Sequence, residues 1–236
     1  MCNISSVPTK KNPKGNNVRR RTWRTKKASN TRFRILEAAL DCLVEIGFTN
    51  TSIATITAKA GLSRGAVQFH FPTKSAAMEA VTNHILQRRL DMYRADMAKI
   101  PASQDFLEHA IHAYWKQVTR PEFIAQQEIA LAARTDLALA GTLSKAYREY
   151  IVRSREPFLT EFPAWKSTRA HYETSANFAQ YLIEGMAWGY TNRYLTEKSV
   201  DGMLASLRSV VGGLLGERPS APARASTPRR TRRPAS

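Results

Sequence analysis

An all-α fold is what this sequence predicts, and three observations predict it. Between residues 31 and 216 the large apolar side chains recur three and four positions apart, the repeat of a helix with one buried face. No stretch alternates with period two for long enough to make a strand. Proline, glycine and Ser/Thr signals cut the pattern into pieces of helical length, and no repeat of solenoid type is visible. At 236 residues the chain has room for one large domain, or for a small head and a larger body.

The first helix is expected from about 31 to 46, because Leu36, Ala39, Leu40, Leu43 and Val44 share a face and Gly47 supplies a left-handed cap just beyond. Two short helices follow in TSIATITAKAGLSRGAVQFHFPTK, separated by Gly61. Ser52 and Ser63 are placed to cap them, with Ile53, Ile56, Ala60, Leu62 and Val67 facing inward. Pro72 ends the second, and Thr73 caps a long helix from Lys74 toward Lys99. Five to six helices are expected from 103 to 215, punctuated at Pro101 and Ser103, at Pro121, at Gly141, at Pro163 and at Thr196 through Ser199. The total is about nine helices.

Charge divides the chain differently. The net +17 comes from 36 Lys and Arg against 19 Asp and Glu, and it sits at the two ends. Residues 1–34 carry +11 with no acid, residues 217–236 carry +5, and the stretch between them is left with +1. Both ends are rich in Pro, Ser, Thr and Arg and poor in large apolar groups, so residues 1–30 and 217–236 are expected to be disordered basic segments. The acid-free N-terminus also has the composition of a transit peptide, but Pro, Gly and Asn in KKNPKGNN oppose the amphipathic helix that would need. Two cysteines, Cys2 and Cys42, are too few for a disulfide framework or a zinc site, which fits a reducing cytoplasm. No membrane span or export signal is expected.

Residues 52–71 meet the geometric needs of a helix-turn-helix. Ala60 is small where the second helix packs closely, Gly61 allows the turn's positive φ, Leu62 plugs the space between the helices, and Ser63 starts a helix able to enter the major groove. The run Gly47, Phe48, Thr51, Ile56, Ala60-Gly61-Leu62-Ser63, Gly65, Val67, His70-Phe71 and Lys74 resembles, without a gap, the head of the tetracycline-repressor (TetR) family over residues 31–80. Residues 128–143, EIALAARTDLALAGTL, resemble a stretch of that family's C-terminal bodies. The one departure is Gln68, where the family usually has a phosphate-touching Tyr. A glutamine can also donate to phosphate, or pair with an adenine edge.

The resemblance implies a three-helix head over 31–80 joined by a long helix to an all-helical regulatory and dimerisation body over 81–216. It implies that Ser52 and Ser63 meet phosphates, that Arg64, Ala66, Gln68 and Phe69 face the groove, that His70 ends the recognition surface and that Lys74 touches phosphate. Arg24, Lys26 and Lys27 would lie along the duplex. Each has a plainer alternative: caps alone for the serines, packing for Phe69 and His70, and a solubilising tail for the basic arm.

A helix-turn-helix reads about half a turn of groove, so a homodimer on a palindromic operator is expected. By resemblance Phe178, Leu182, Met186, Leu204, Leu207 and Val211 would pair across it, with an ordinary intramolecular core as the alternative. Tyr114, Trp115, Phe123, Trp165 and Trp188 are candidates for a pocket taking a small hydrophobic or aromatic effector, as family members commonly do; plain core is the alternative. The expected function is a cytoplasmic, sequence-specific DNA-binding regulator, most simply a repressor. The alternative is a ligand-independent or nucleoid-associated DNA binder. No catalytic constellation, cofactor or metal is expected: His70, His84, His109, His112 and His171 show no ligand spacing, and GGLLG at 212 lacks the Lys and Ser/Thr of a phosphate loop.

Overall fold

In the computed structural model, which describes residues 13–100, 105–161 and 169–215, every regular element is a helix. They are α1 (Pro13–Asn50), α2 (Ile53–Ala60), α3 (Arg64–His70), α4 (Lys74–Met97), α5 (Phe106–Val118), α6 (Pro121–Ala133), α7 (Leu137–Glu161), α8 (Arg169–Thr191) and α9 (Glu197–Leu214). The expected all-α class and helix number are met among these residues.

The caps do what their residue types allow. Ser52 accepts from the Thr55 amide while Thr55 Oγ1 accepts from the Ser52 amide, a reciprocal box. Ser63 accepts from Ala66 N, Thr73 from Ala76 N and Thr196 from Ser199 N. Gly61 closes α2 at φ 62°, ψ 39°, the left-handed conformation that only glycine adopts cheaply. Pro121 opens α6 in its first turn.

Three details differ from expectation. Helix α1 begins at Pro13, well before residue 31, so the backbone of the basic segment continues the first helix. Gly47 is not a left-handed cap: at φ 74°, ψ 171° it makes a sharp break within α1. Gly141 does not end a helix but lies inside α7, where a Cβ would meet nothing within 4 Å; the break comes earlier, where the Asp136 carboxylate caps the amide of Leu139. A single exposed glycine costs a helix about 1 kcal/mol, too little to end one anchored by packing. Pro101, Ser103 and Pro163, and the tail from 217, lie outside the described residues.

Two apolar cores result. One gathers α1, α2, α3 and the start of α4, and takes in Ala125, Ile129 and Ala133 of α6. The other packs α5 against α8 and α9. Helix α4 runs from the first toward the body, with Leu86 and Leu90 on α7 and Tyr93 and Met97 on α5.

Candidate nucleic-acid interface and the body behind it

Helix α3 is held by one side and free on the others. Val67 is fully buried in the first core, while Arg64, Gly65, Gln68 and Phe69 are exposed, Phe69 to 82%. Ala66 and His70 are half-buried, and the His70 ring meets Phe69 edge-on at 5.3 Å. The choice left open at Phe69 thus resolves against core: a helix of seven residues has one inward phase, and Val67 occupies it. A glycine at 65 answers no crowding in the chain, since no atom lies within 4 Å of its notional Cβ.

The surrounding scaffold fixes α3. Arg34 of α1 donates from Nη2 to the Ala60 carbonyl at 2.8 Å, tying the end of α2 beside the Gly61 turn. Arg32 lies 5.5 Å from the Phe71 ring centre. Lys59 pairs with Glu45 at 2.6 Å. Ser63 is exposed and Ser52 half-buried, each already accepting the amide that makes it a cap. Lys74 points inward more than expected: Nζ donates to the Phe48 carbonyl at 2.9 Å and sits 4.3 Å over the Phe48 ring. Burial pushes its ammonium below the usual lysine range. Glu128 of α6 holds the same loop from the other side, accepting from Phe48 N at 2.9 Å. The side chains of Arg24, Lys26 and Lys27 lie outside the described residues.

Behind the head, a cavity of about 100 Å³ opens between α4, α5, α7, α8 and α9. Tyr114 lines it, as expected, together with Tyr93, Phe158, Tyr172, Ile183 and Arg155. Trp115, Phe123 and Trp188 do not. Trp115 packs against Tyr190 with its ring centre 5.6 Å away, Phe123 is buried beneath Arg89, and Trp188 is 60% exposed beside Tyr194. Trp165 lies outside the described residues. The sequence carried a signal for one missed residue. Arg89 falls four positions from both Ile85 and Tyr93, a charged side chain in the buried phase of α4, and it is fully buried.

The expected pairing residues divide in two. Met186, Leu204, Leu207 and Val211 are buried within the chain, in the core of α5, α8 and α9, so they are not available to a second subunit. Leu182 is half-buried and Phe178 is 44% exposed. Tyr181, Trp188, Val210 and Leu214 are also exposed on α8 and α9, and Cβ atoms at Gly185, Gly202 and Gly213 would meet open space. Period alone reports which residues share a face; it cannot say which of two apolar faces turns inward.

Among the described residues no group of three His, Cys, Asp or Glu side chains could hold a metal ion, and no helix is long and apolar enough to cross a membrane.

Comparison with known proteins bears on the same regions. Residues 35–81 match the family model described as bacterial regulatory proteins, tetR family. A helix-turn-helix transcriptional regulator of Mycobacterium tuberculosis is 33% identical over 117 residues, 50% of this chain; the chain thus spans 60% of that relative's length. Among solved structures, Salmonella enterica GusR is similar over 79% of this chain and 95% of its own, at 23% identity and a TM-score of 0.59. A transcriptional regulator from Saccharomonospora viridis, solved in complex with choline, is similar over 78% and 96% at 17% identity and a TM-score of 0.59. These last two are likenesses of fold.

Proposed function

We propose that this chain, whose residues 35–81 match the model of the tetR family of bacterial regulatory proteins, is a repressor of that family that binds a palindromic operator as a homodimer. The observation that carries the reading is the stance of α3: Val67 is anchored in the core while Arg64, Gln68 and Phe69 stand in solvent, spaced to enter a major groove. Arg64 and Gln68 have the donors to read guanine and adenine edges, and Phe69 an apolar face for a thymine methyl. The bare backbone at Gly65 lets the groove come close. Ser52, Ser63, His70 and Lys74 border this surface and serve phosphates; Lys74 has two N–H groups left after the one given to Phe48.

The exposed apolar face of α8 and α9, rimmed by open glycines, supports pairing with a second copy. An effector in the body cavity would release DNA through α6. That helix places Phe123 and Gln126 against Arg89 near the cavity, and Ala125, Glu128 and Ile129 against the head. A displacement imposed on one face of so short a helix is carried to the opposite face.

Selecting bound fragments from random DNA with the purified protein tests this reading. The expected product is an inverted repeat whose half-sites are centred about 10 base pairs apart, or a multiple of that. The concentration of charge at 1–34 favours one rival, a sequence-indifferent binder. That rival would yield unselected fragments, with affinity falling by about 0.9 log unit per phosphate contact for each log unit of salt.

A further inference from the structure

We propose that the effector is a small organic carboxylate with an apolar ring or short chain, its anion held by the buried guanidinium of Arg89 and its apolar part by the adjoining cavity. The inference rests on the effector reading above and specifies its chemistry.

Arg89 is completely buried, and no carboxylate among the described residues lies within ion-pairing distance of it. A guanidinium does not shed its proton, so the charge stays inside the protein. Nη1 donates to the side-chain carbonyl of Gln126, whereas Nε and Nη2 have no acceptor among the described residues. The rings of Phe123, Tyr150 and Tyr114 surround it at 5.0, 5.1 and 6.0 Å from their centres. Their faces attract the cation, but they give its N–H groups no lone pair in the guanidinium plane. A buried cation whose donors are left unmade is among the costliest features a core can keep.

A second polar group beside it is unmatched as well. The Tyr150 hydroxyl, on a ring 5.1 Å from the guanidinium, is buried with no partner among the described residues. Glu184 makes no direct bond to Arg89, although its charge acts on the guanidinium from beyond the tyrosines. Its Oε1 accepts from Tyr114 Oη at 2.7 Å, Tyr147 Oη at 3.0 Å and Gln180 Nε2 at 3.2 Å. The unmade set beside the cation consists of three guanidinium N–H groups, one on Nε and two on Nη2, and the Tyr150 hydroxyl. A carboxylate, with two oxygens and a full negative charge, satisfies such donors in the bidentate manner arginine favours.

Size and polarity set the remainder of the ligand. Arg89 does not itself line the cavity; the Tyr114 ring lines it and lies over the guanidinium, so one side chain stands between the two and the ligand's carboxylate meets Arg89 by turning that ring aside. At about 100 Å³, walled by Tyr93, Ile111, Phe158 and Ile183, the space suits one six-membered ring or a short alkyl chain. A quaternary ammonium such as the choline of the Saccharomonospora regulator would meet like charge here. Arg155 also lines the cavity, but its Nη2 already donates to Asn177 at 2.6 Å and Gln180 at 3.1 Å.

The test uses the full-length protein without DNA. Benzoate, phenylacetate and hexanoate are compared with benzamide, phenylacetamide and hexanamide by thermal shift and titration calorimetry at millimolar concentrations. Acids should raise the melting temperature and bind at least about tenfold more tightly than their amides. Arg89→Met should erase that preference and Arg155→Gln should keep it. Tyr150→Phe removes only an unpartnered hydroxyl, and should weaken the acids several-fold with the melting temperature of the free protein unchanged. Equal binding of acids and amides, absence of binding by every acid, or loss of preference in Arg155→Gln alone would overturn the proposal. An acid that binds yet leaves the operator complex intact would instead sink release by effector, with the carboxylate site standing.

Discussion

Phe69 is an aromatic side chain that the fold leaves 82% in solvent, where it takes no part in the core and meets only the edge of the adjacent His70 ring. Phe69→Ala should therefore keep thermal stability within about 0.5 kcal/mol and lower operator affinity by about 1–3 kcal/mol. Calorimetry and operator titration check the two halves, and a lowered melting temperature would argue for a packing role. Arg64→Ala should relax base preference at one or two positions. Lys74→Ala should weaken selected and random DNA alike, and should cost the head about 1 kcal/mol through the lost bond to the Phe48 carbonyl. These residues were legible in the sequence because α3 is set by local signals: Ser63 starts it, Val67 fixes its inward phase and the rest follows. The inward bend of Lys74 was not legible, since it depends on Phe48, 26 residues away. Nor was the isolation of Arg89, which depends on what α5, α6 and α7 bring around it.

At the scale of elements, α1, α4 and α6 are joined by one polar cluster. Glu37 of α1 accepts from His84 and Arg88 of α4, and Arg88 continues to the buried Glu122 of α6 at 2.8 Å. Burial alone would raise the Glu37 carboxyl, but the bonds from Arg88 and His84 outweigh it and hold the group below its usual range. A carboxylate so depressed contributes stability above the unfolded-state value and loses it as pH falls through the folded one. The stability gap between wild type and Glu37→Gln should be present at neutral pH and should close in acid, below about pH 4. Thermal melts across pH would show it, and a gap that widened in acid would reverse the assignment. The elements themselves were legible wherever a cap and a period agreed, as at Ser52, Thr73 and Pro121. They were not legible where packing overrides a weak breaker, as at Gly141, or where the helical backbone runs through residues with no apolar stripe, as at the start of α1.

For the whole molecule, the proposed pairing with a second copy rests on the outward face of α8 and α9. Phe178→Glu combined with Val210→Glu alters side chains that are 44% and 47% exposed, so the chain should fold as before. Sedimentation should then show a monomer, and operator binding should fail. Identical monomeric mass before and after the change would remove this face from the assembly. The head has a wider consequence. Its core is closed by Ala125, Ile129 and Ala133 from a helix more than forty residues downstream of the matched segment. Cut after Met97, the N-terminal portion would carry an open apolar trough where α6 had lain, along with an unanswered amide at Phe48. Such a fragment should be sticky and poorly folded, and grafting residues 35–81 onto another protein should not transfer a working DNA reader unless the α6 strip travels with it.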